Sequence, residues 1–426
     1  MRCIFVDNHF RGGVDSFLIN LLTEWPQEDG PITLISNATN PALEAYRRIP
    51  NSGVLIRTYR TLVTRRSPFV FHSSATSLLW PLMFIARVVR RIGLGLIMPY
   101  YLFRIRFILR KCQCNRLLVV NGGYPGSYLA RVATLESLRQ SIPTIHNFHS
   151  HAVPLKSYQR MEATIDGRFA RSDLTFVTVS RSCAKSLRKR IPTLSADRVG
   201  VIPNGVLPPT GAPAAGRRDA LSPGGSGHPK KDSNLPRLPV EPFFLMLATY
   251  HAIKGHDTLI RAFSGLRRQY PQVRLIMCGD GSELDRRRIE ALISENGVED
   301  YAELWPFVED KESLIREAVA LVLPSRAQES FGLVLVEAMA LGVPIIASSA
   351  GGIPEVFQSG VQGFLFEPGD SESLSIHMQA LLADKGLRRK MAQEGKKLYK
   401  QEYTASRMAN RYAELLREGS QLKAAK

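Results

Sequence analysis

The stretch PSRAQESFGLVLVEAMALGVPIIASSAGGIPE, residues 324–355, decides the fold, because it reads as a strand end, a turn, a helix and a second strand in succession. The apolar run ALVLPS (320–325) ends in Pro and Ser, as strands often do at a turn. The segment GLVLVEAMAL (332–341) then predicts a buried helix, and PIIASS (344–349) predicts the next strand. This alternation indicates parallel strands connected by helices.

Two glutamates, Glu329 and Glu337, lie eight residues apart in this stretch. The turn at Gly332 opens the helix, and a helix that begins with glycine presents free backbone N–H groups and the positive end of its dipole, which suit a phosphate. Glu329 would then lie beside the phosphate and accept hydrogen bonds from sugar hydroxyls, and Glu337 could bind a ribose diol. The alternative is that both are solvated glutamates flanking a buried helix.

The same alternation runs through both halves of the chain. In the first half the predicted strands are 2–6, 32–36, 54–59, 117–120, 144–148, 176–180 and 199–203. In the second half they are 243–249, 273–279, 302–307, 320–325, 344–349 and 363–368, and the end of the chain reads as helices only. Residues 208–240, rich in Gly, Pro, Ser and charge, are interpreted as a linker. The sequence therefore predicts an α/β protein with two doubly wound domains facing a central cleft.

Charge is distributed unevenly along the 426 residues, whose formal net charge is +18. Residues 1–207 hold 28 basic and 11 acidic residues, a net charge of +17, whereas residues 241–426 hold 23 and 25, a net charge of −2. The basic half predicts an anionic partner, which is nucleic acid, a membrane surface or an acidic ligand. No zinc-finger spacing, RNP-like string or helix-turn-helix pattern accompanies the charge, so nucleic acid is not the expected partner.

Composition also restricts the class of protein. The apolar fraction of 44% is typical of a globular protein. The five Cys are scattered and include no C-x-x-C pair, which excludes a disulfide scaffold and predicts reduced thiols in a cytoplasm. Asp7 interrupts the N-terminal apolar run, so no secretory signal is expected. The three histidines of TIHNFHSH (144–151) have no acidic or Cys neighbour in sequence, so no metal site is expected there.

The densest basic stretch, residues 57–116, contains no acidic residue and interleaves Arg with aliphatic and aromatic residues. Between residues 101 and 111 the arginines recur at intervals of two to four, as on one face of a helix. A basic face next to a bulky apolar face is typical of an interfacial helix drawn to anionic lipid. The alternative is a pair of core helices with solvated arginines. Pro81 and the arginines interrupt the apolar runs, so no membrane-spanning helix is predicted.

Six separate strings of this sequence fall in the order found in one enzyme family. They are VIPNGV (201–206), LATYHAIKGHDTLIRAF (247–263), CGDGSEL (278–284), the stretch with Glu329 and Glu337, GGIPE (351–355) and GVQGFLFEPGD (360–370). Together they resemble the retaining family 4 glycosyltransferases of GT-B fold, whose signature is two glutamates separated by seven residues. The resemblance is continuous over about residues 241–400 and patchier before them.

In that family the C-terminal domain holds a sugar nucleotide, and the resemblance implies roles for the matching residues. Glu329 would contact the donor sugar and Glu337 the ribose, while Lys254 would pair with the diphosphate, whose charge grows as the leaving group departs. The amides of Phe331, Gly332 and Leu333 would face the diphosphate. The turn at Gly13 in the first domain and the turn at Asp280 and Gly281 in the second domain would complete the donor site. The remaining candidate donor-binding residues are Gly13, Asp280, Gly281, Ser330, Phe331, Gly332 and Leu333.

The resemblance also implies a histidine near the donor sugar. His146 aligns best with it, and His149 is the alternative; the predicted catalytic residues are therefore Glu329, His146 and Lys254. One departure from the family concerns the phosphates. Many members carry an Arg three or five residues before the lysine, where this chain has His251 and Thr249, so the second phosphate contact is left open.

The predicted function is transfer of a sugar from a nucleotide diphosphate to a lipid-linked or polysaccharide acceptor with retention of anomeric configuration, in cell-surface polysaccharide, lipopolysaccharide or glycolipid biosynthesis. The resemblance implies an acceptor-binding domain over 1–207, a donor-binding domain over 241–402 and a final helix, 403–426, packing back on the first domain. No metal or other cofactor is expected, and the expected location is cytoplasmic, at the inner face of the cell membrane. The alternatives are a non-catalytic nucleotide-sugar-binding protein and a basic nucleic-acid-binding protein.

Overall fold

The computed structural model describes residues 1–9, 12–51, 53–60, 98–156, 159–210, 238–308 and 310–418. The chain divides into two compact units. The first unit contains Met1–Pro203 and the chain from Met408 onward, and the second runs from Asn204 to Arg407. Most of the predicted linker, residues 211–237, and residues 61–97 of the basic stretch lie outside the described residues.

A parallel sheet organises the first unit. Its strands are β1 (Arg2–Val6), β2 (Ile32–Asn37), β3 (Val54–Tyr59), β4 (Arg116–Asn121), β5 (Thr144–Phe148), β6 (Thr175–Thr178) and β7 (Val199–Val201). Within the described residues the strand order is β3-β2-β1-β4-β5-β6-β7, so the chain winds outward from β1 in both directions. The helices are α1 (Gly13–Thr23), α2 (Leu43–Arg47), α3 (98–111), α4 (Tyr128–Arg139), α5 (Arg160–Arg171) and α6 (Arg181–Arg190).

Apolar layers cover both faces of this sheet. Ile4 belongs to a layer with Phe17 of α1 and Tyr412 of the C-terminal helix, whereas Phe5 belongs to the opposite layer with Tyr101 of α3. Successive residues of a strand point to opposite faces, so a strand buried on both sides needs apolar residues at every position. The continuous apolar runs of the sequence therefore predicted these strands correctly.

The second unit repeats the architecture with a parallel sheet in the order β10-β9-β8-β11-β12-β13. Its strands are β8 (Phe243–Leu247), β9 (Arg274–Cys278), β10 (Ala302–Trp305), β11 (Ala320–Leu323), β12 (Ile345–Ser348) and β13 (Gly363–Phe366). Its helices are α7 (His256–Arg267), α8 (Glu283–Glu295), α9 (Lys311–Glu317), α10 (Leu333–Leu341), α11 (Ser371–Ala383) and α12 (Lys385–Glu402), and α13 (Ala405–Glu418) then continues into the first unit. The prediction of two doubly wound α/β halves is confirmed.

Side-chain caps fix where several helices begin. Ser127, Ser282, Asp310 and Asp370 each accept a hydrogen bond from the backbone N–H three residues later, at the starts of α4, α8, α9 and α11. Such caps satisfy one of the N–H groups that a helix start leaves without a partner. Helix α10 has no side-chain cap and begins instead at Gly332, which leaves its first N–H groups available.

Candidate functional site

The turn between β11 and α10 places the predicted glutamates at the carboxyl edge of the second sheet. Gly332 adopts a left-handed backbone with φ of 81° as the N-cap of α10. The left-handed backbone favours glycine here, and a Cβ would also be crowded by the side chains of Leu335 at 3.0 Å and Leu323 at 3.1 Å. Phe331 is buried against Tyr403, with ring centroids 5.8 Å apart, which leaves its backbone as the part available at the turn.

Glu329 and Lys254 form the centre of the site. The Lys254 Nζ lies 2.7 Å from Glu329 Oε2, and the Ser325 hydroxyl donates to the same oxygen at 3.0 Å. Lys254 closes the short 3-10 turn Ala252–Lys254 after β8, the strand that neighbours β11 in the sheet. Two residues that the sequence analysis assigned to one site, 75 positions apart in the chain, therefore meet in space.

Two glycines allow the loops around this ion pair to approach each other. Gly255, with φ of 78°, lies so close to Pro324 that a Cβ would overlap the Pro324 carbonyl oxygen. Gly351, with φ of 60°, lies equally close to the carbonyl oxygen of Glu329, and the next amide, that of Gly352, donates to this oxygen at 2.7 Å. The GGIPE string therefore holds the backbone of Glu329, a role that the sequence did not reveal.

Glu337 lies one turn into α10 and is paired with a lysine that the sequence analysis missed. Lys311 Nζ, at the start of α9, lies 2.6 Å from Glu337 Oε1. The second oxygen, Oε2, is buried and accepts no hydrogen bond from any described residue. Burial raises the pKa of the Glu337 carboxyl, and the Lys311 ammonium acts in the opposite direction. A buried carboxylate oxygen without a donor is costly, and this oxygen remains an unsatisfied hydrogen-bond acceptor within the described residues.

The loop after β9 holds the predicted pair Asp280 and Gly281. Asp280 Oδ1 accepts the Gly281 amide at 2.8 Å, and the Asp280 carbonyl accepts the Tyr250 amide at 2.9 Å. A Cβ at Gly281 would lie 2.7 Å from the Cβ of Tyr250. Close packing against the β8 loop therefore explains this glycine without a ligand.

His251, which stands where many family members carry Arg, caps the turn after β8. Its Nδ1 accepts the Ile253 amide at 3.5 Å. Arg326, just after β11, donates its own amide to the Ile253 carbonyl at 2.7 Å and pairs through its guanidinium with Asp257. A second cation therefore lies on the loop that contacts the Lys254 turn, although its side chain is held by a carboxylate.

In the first unit, Gly13 begins α1 and no described atom lies within 4 Å of where its Cβ would be. Packing within the unit therefore does not require glycine here. The adjacent Gly12 amide donates to Asp15 Oδ2 at 3.0 Å, and Asp15 also accepts the Tyr46 hydroxyl at 2.7 Å. These bonds fix the start of α1 at the carboxyl edge of the first sheet.

The prediction for His146 is wrong. Its side chain is completely buried, its Nδ1 lies 2.9 Å from the Thr134 hydroxyl, and its ring packs beside Tyr124 and Phe176. Burial lowers the pKa of His146 to about 3, so the ring is neutral. A side chain enclosed by the core cannot contact a donor sugar.

His149, the alternative, lies just beyond the end of β5. Its ring stacks at a tilt on Phe17, with centroids 4.3 Å apart, and neither ring nitrogen has a hydrogen-bond partner among the described residues. Burial lowers the pKa of His149 to about 3, so the imidazole is neutral and has one N–H to donate. Residue 149 is only partly buried whereas His146 is completely buried, so His149 replaces His146 as the candidate histidine of the first unit. The third histidine of this run, His151, contacts the Ser182 hydroxyl at 2.8 Å.

Two family models match the chain, one described as Glycosyl transferases group 1 over residues 230–398 and one as Glycosyltransferase Family 4 over residues 11–208. The chain belongs to the family 4 glycosyltransferases. The group 1 match contains both glutamates of the site and Lys254, and the family 4 match spans most of the first unit.

Among relatives of this glycosyltransferase, N-acetyl-alpha-D-glucosaminyl L-malate synthase of Bacillus anthracis is 30% identical over 172 residues, which are 40% of this chain and 44% of that protein. Phosphatidyl-myo-inositol mannosyltransferase of Mycobacterium leprae is 28% identical over 296 residues, 67% of this chain and 70% of that protein. The chain thus spans less than half the length of the Bacillus relative.

The solved structure of the Anabaena protein HepE in complex with UDP matches this glycosyltransferase with a TM-score of 0.70 at 18% identity, covering 98% of this chain and 100% of that one. This likeness shows a shared GT-B fold. Across the described parts of the chain, no helix combines the length and apolar character needed to cross a bilayer. In the same residues, no group of three or more His, Cys, Asp or Glu side chains is arranged to hold a metal ion.

Proposed function

We propose that the second unit binds a nucleotide diphosphate sugar and that the enzyme transfers the sugar with retention of anomeric configuration. The observation that carries the proposal is the Glu337 carboxylate, which keeps one buried oxygen without a hydrogen-bond donor in the described chain while Lys311 holds the other. A ribose diol supplies the two hydroxyl donors that such an oxygen can accept. The Anabaena structure of the same fold contains UDP, which agrees with this ligand class.

The same turn offers groups for the rest of the donor. The diphosphate would lie at the start of α10, where the amides after Gly332 and the helix dipole favour negative charge. Lys254 would exchange part of its contact with Glu329 for a phosphate oxygen. Glu329, once released, would accept hydrogen bonds from the hydroxyls of the transferred sugar.

In the proposed reaction the bond between the anomeric carbon and the diphosphate oxygen breaks while the acceptor oxygen attacks on the same face of the sugar. The acceptor proton passes to the departing phosphate oxygen, so no protein group acts as general base. Lys254 and the α10 amides would stabilise the charge that develops on the leaving diphosphate. Consistent with the family resemblance, we expect this chemistry to need no metal or other cofactor.

We further propose that the acceptor is a glycan or a lipid-linked molecule, used in cell-surface polysaccharide or glycolipid biosynthesis on the cytoplasmic side of a membrane. The donor site lies in the half of net charge −2, so the net charge of +17 over residues 1–207 is not needed for the nucleotide. The Mycobacterium leprae relative is named for a phosphatidyl-inositol acceptor, which supports a lipid-linked class.

The test is a thermal-shift panel of nucleotide sugars on the purified full chain, because a ligand of the native state raises its melting temperature. A nucleotide sugar that stabilises the wild type should bind Glu337→Gln about 10–100-fold more weakly, since a hydrogen bond to a charged group is worth about 1.5–3 kcal/mol. Glu372→Gln, an exposed glutamate of the same unit, is the matched control.

Proton NMR of the product then decides the stereochemistry. Retention is expected, and an inverted anomeric centre would overturn that part of the proposal. Glu329→Ala should abolish transfer, whereas a wild type that binds a donor and transfers it to no acceptor would favour the non-catalytic alternative.

A further inference from the structure

We propose that the outer face of α3 is a docking surface for an anionic lipid bilayer. The inference deepens the proposed function, on which its biological meaning rests, by naming the partner of the basic first unit. It depends on the placement of aromatic and basic side chains on one helix, which only the structure shows.

The inner face of α3 is fully used by the fold. Tyr101, Ile105 and Leu109 are 4%, 2% and 1% exposed and belong to the apolar layer beneath the first sheet. Arg106 ties the helix to α4, because its Nε lies 2.7 Å from a carboxylate oxygen of the buried Glu136. The buried face and this ion pair attach the helix to the unit, with its remaining face outward.

That outer face is unusually apolar for a protein surface. Phe103 is 68% exposed, Phe107 57% and Tyr100 38%, so three aromatic rings of one helix lie in solvent. At about 100° per residue, these three positions fall within about 60° of one another and form a single stripe along the helix. Contiguous exposed aromatic side chains mark an interaction surface more often than scattered ones do.

Basic side chains border this aromatic stripe on both sides. Arg110 flanks it on one side, and Arg104 and Lys111 flank it on the other, and all three are exposed. No residue from 98 to 116 is acidic. Arg and Lys beside aromatic rings suit the bilayer interface, because the rings enter the headgroup boundary while the charged ends reach the anionic phosphates.

The geometry favours a bilayer over nucleic acid. Single strands are bound in a basic groove, whereas this face is the convex surface of one helix. A helix that reads a duplex needs polar side chains along its centre, and the centre of this face offers a single hydroxyl, that of Tyr100. The basic border thus matches a flat anionic surface into which aromatic rings can insert.

The sequence analysis predicted one basic face next to one bulky apolar face, and the structure refines that prediction by dividing the apolar residues of α3 between a buried side and an exposed side. The buried apolar face is the core-facing side, as the alternative interpretation held. The proposed membrane-binding face consists instead of the exposed aromatic residues Tyr100, Phe103 and Phe107, which lie between basic residues.

Flotation of the full chain with lipid vesicles tests the inference. The protein should bind vesicles of phosphatidylcholine and phosphatidylglycerol, bind pure phosphatidylcholine more weakly, and dissociate as salt is raised. Phe103→Ser with Phe107→Ser should lower vesicle affinity on the order of tenfold. Met161→Ser, an exposed apolar residue of α5, should leave it unchanged.

A charge series separates the basic border from general basicity. Arg104→Ser with Lys111→Ser should weaken binding to the anionic vesicles about 25-fold, at about fivefold per residue. Arg188→Ser with Lys189→Ser, exposed basic residues on α6, should change it little. Circular dichroism on each variant checks that the fold is intact.

The outcomes are distinct from those of the transfer test, because vesicle binding is measured without any nucleotide sugar. Wild-type protein that does not float with anionic vesicles overturns the inference, as do α3 variants that bind like the wild type. A nucleic-acid gel shift that the α3 variants lose, without any vesicle binding, would assign the face to nucleic acid instead. Failure to find a donor, with vesicle binding intact, would count only against the proposed transferase activity.

Discussion

Replacing Lys311 with Met should destabilise the protein in a way that depends on pH. Lys311 lies 2.6 Å from Glu337, whose side chain is 12% exposed while that of Lys311 is 38% exposed. Surface ion pairs are worth about 0–1 kcal/mol, and removing one partner of a buried pair costs about 3–5 kcal/mol. For this half-exposed lysine on a nearly buried carboxylate we expect a loss of about 2 kcal/mol at pH 8.

The sign of the pH dependence follows from the raised pKa of Glu337. A carboxyl whose pKa is raised by folding destabilises the folded state fully above the folded pKa; this effect decreases as pH falls through the folded pKa and is absent below the unfolded pKa. Lys311→Met raises that pKa further, so its cost should be full at pH 8 and smaller at pH 5. In a protein that already carries Glu337→Gln, Lys311→Met should cost much less stability, because no carboxylate charge is then left for Lys311 to offset.

Thermal unfolding at the two pH values measures this effect. A unit of this size shifts by about 2–4 °C per kcal/mol, so Lys311→Met should lower the melting temperature by roughly 4–8 °C at pH 8. Lys311→Arg is the control and should retain most of the stability. Equal losses at pH 5 and pH 8, or full additivity with Glu337→Gln, would refute the reasoning.

Two further predictions concern backbone geometry and a buried ion pair. Gly351→Ala should destabilise the protein by about 2–4 kcal/mol and weaken transfer, because a Cβ would overlap the Glu329 carbonyl. The control Gly360→Ala, where φ is 81° and no described atom lies within 4 Å, should cost about 1 kcal/mol. Similar losses for the two variants in chemical denaturation would contradict the steric argument. Arg190→Met should cost about 3–5 kcal/mol, since Arg190 is 1% exposed and its Nε lies 2.8 Å from Asp166; a loss under about 1 kcal/mol would show that the carboxylate is solvated.

The error at His146 has a physical reason. Strand β5 is buried on both faces, so its sequence TIHNF shows no alternation that would tell which side chains face the core and which reach the edge of the sheet. Three histidines within six residues then look equivalent, although His146 enters an aromatic cluster and His149 stands past the end of the strand. The sequence cannot tell these histidines apart, because their surroundings depend on where strand β5 ends in the folded structure.

The site of the second unit was predictable to the extent that it lies within one stretch of chain. Glu329, Gly332 and Glu337 are joined by a turn and a helix whose periodicity the sequence carries. Lys311 belongs to a different helix, 26 residues earlier than Glu337, and no local pattern connects the two. A lysine at the start of a polar helix would ordinarily be taken for a solvated one.

The sequence by itself determined the two parallel sheets, since apolar runs and amphipathic helices alternate along the chain, and it determined the helix start at Gly332, since that turn favours glycine. Only the tertiary structure decided which charges meet. Lys254 reaches Glu329 because β8 and β11 are neighbours in the sheet although far apart in the chain. It also decided that Phe103 and Phe107 stay in solvent, because the core beneath α3 is already filled by the other side of the helix.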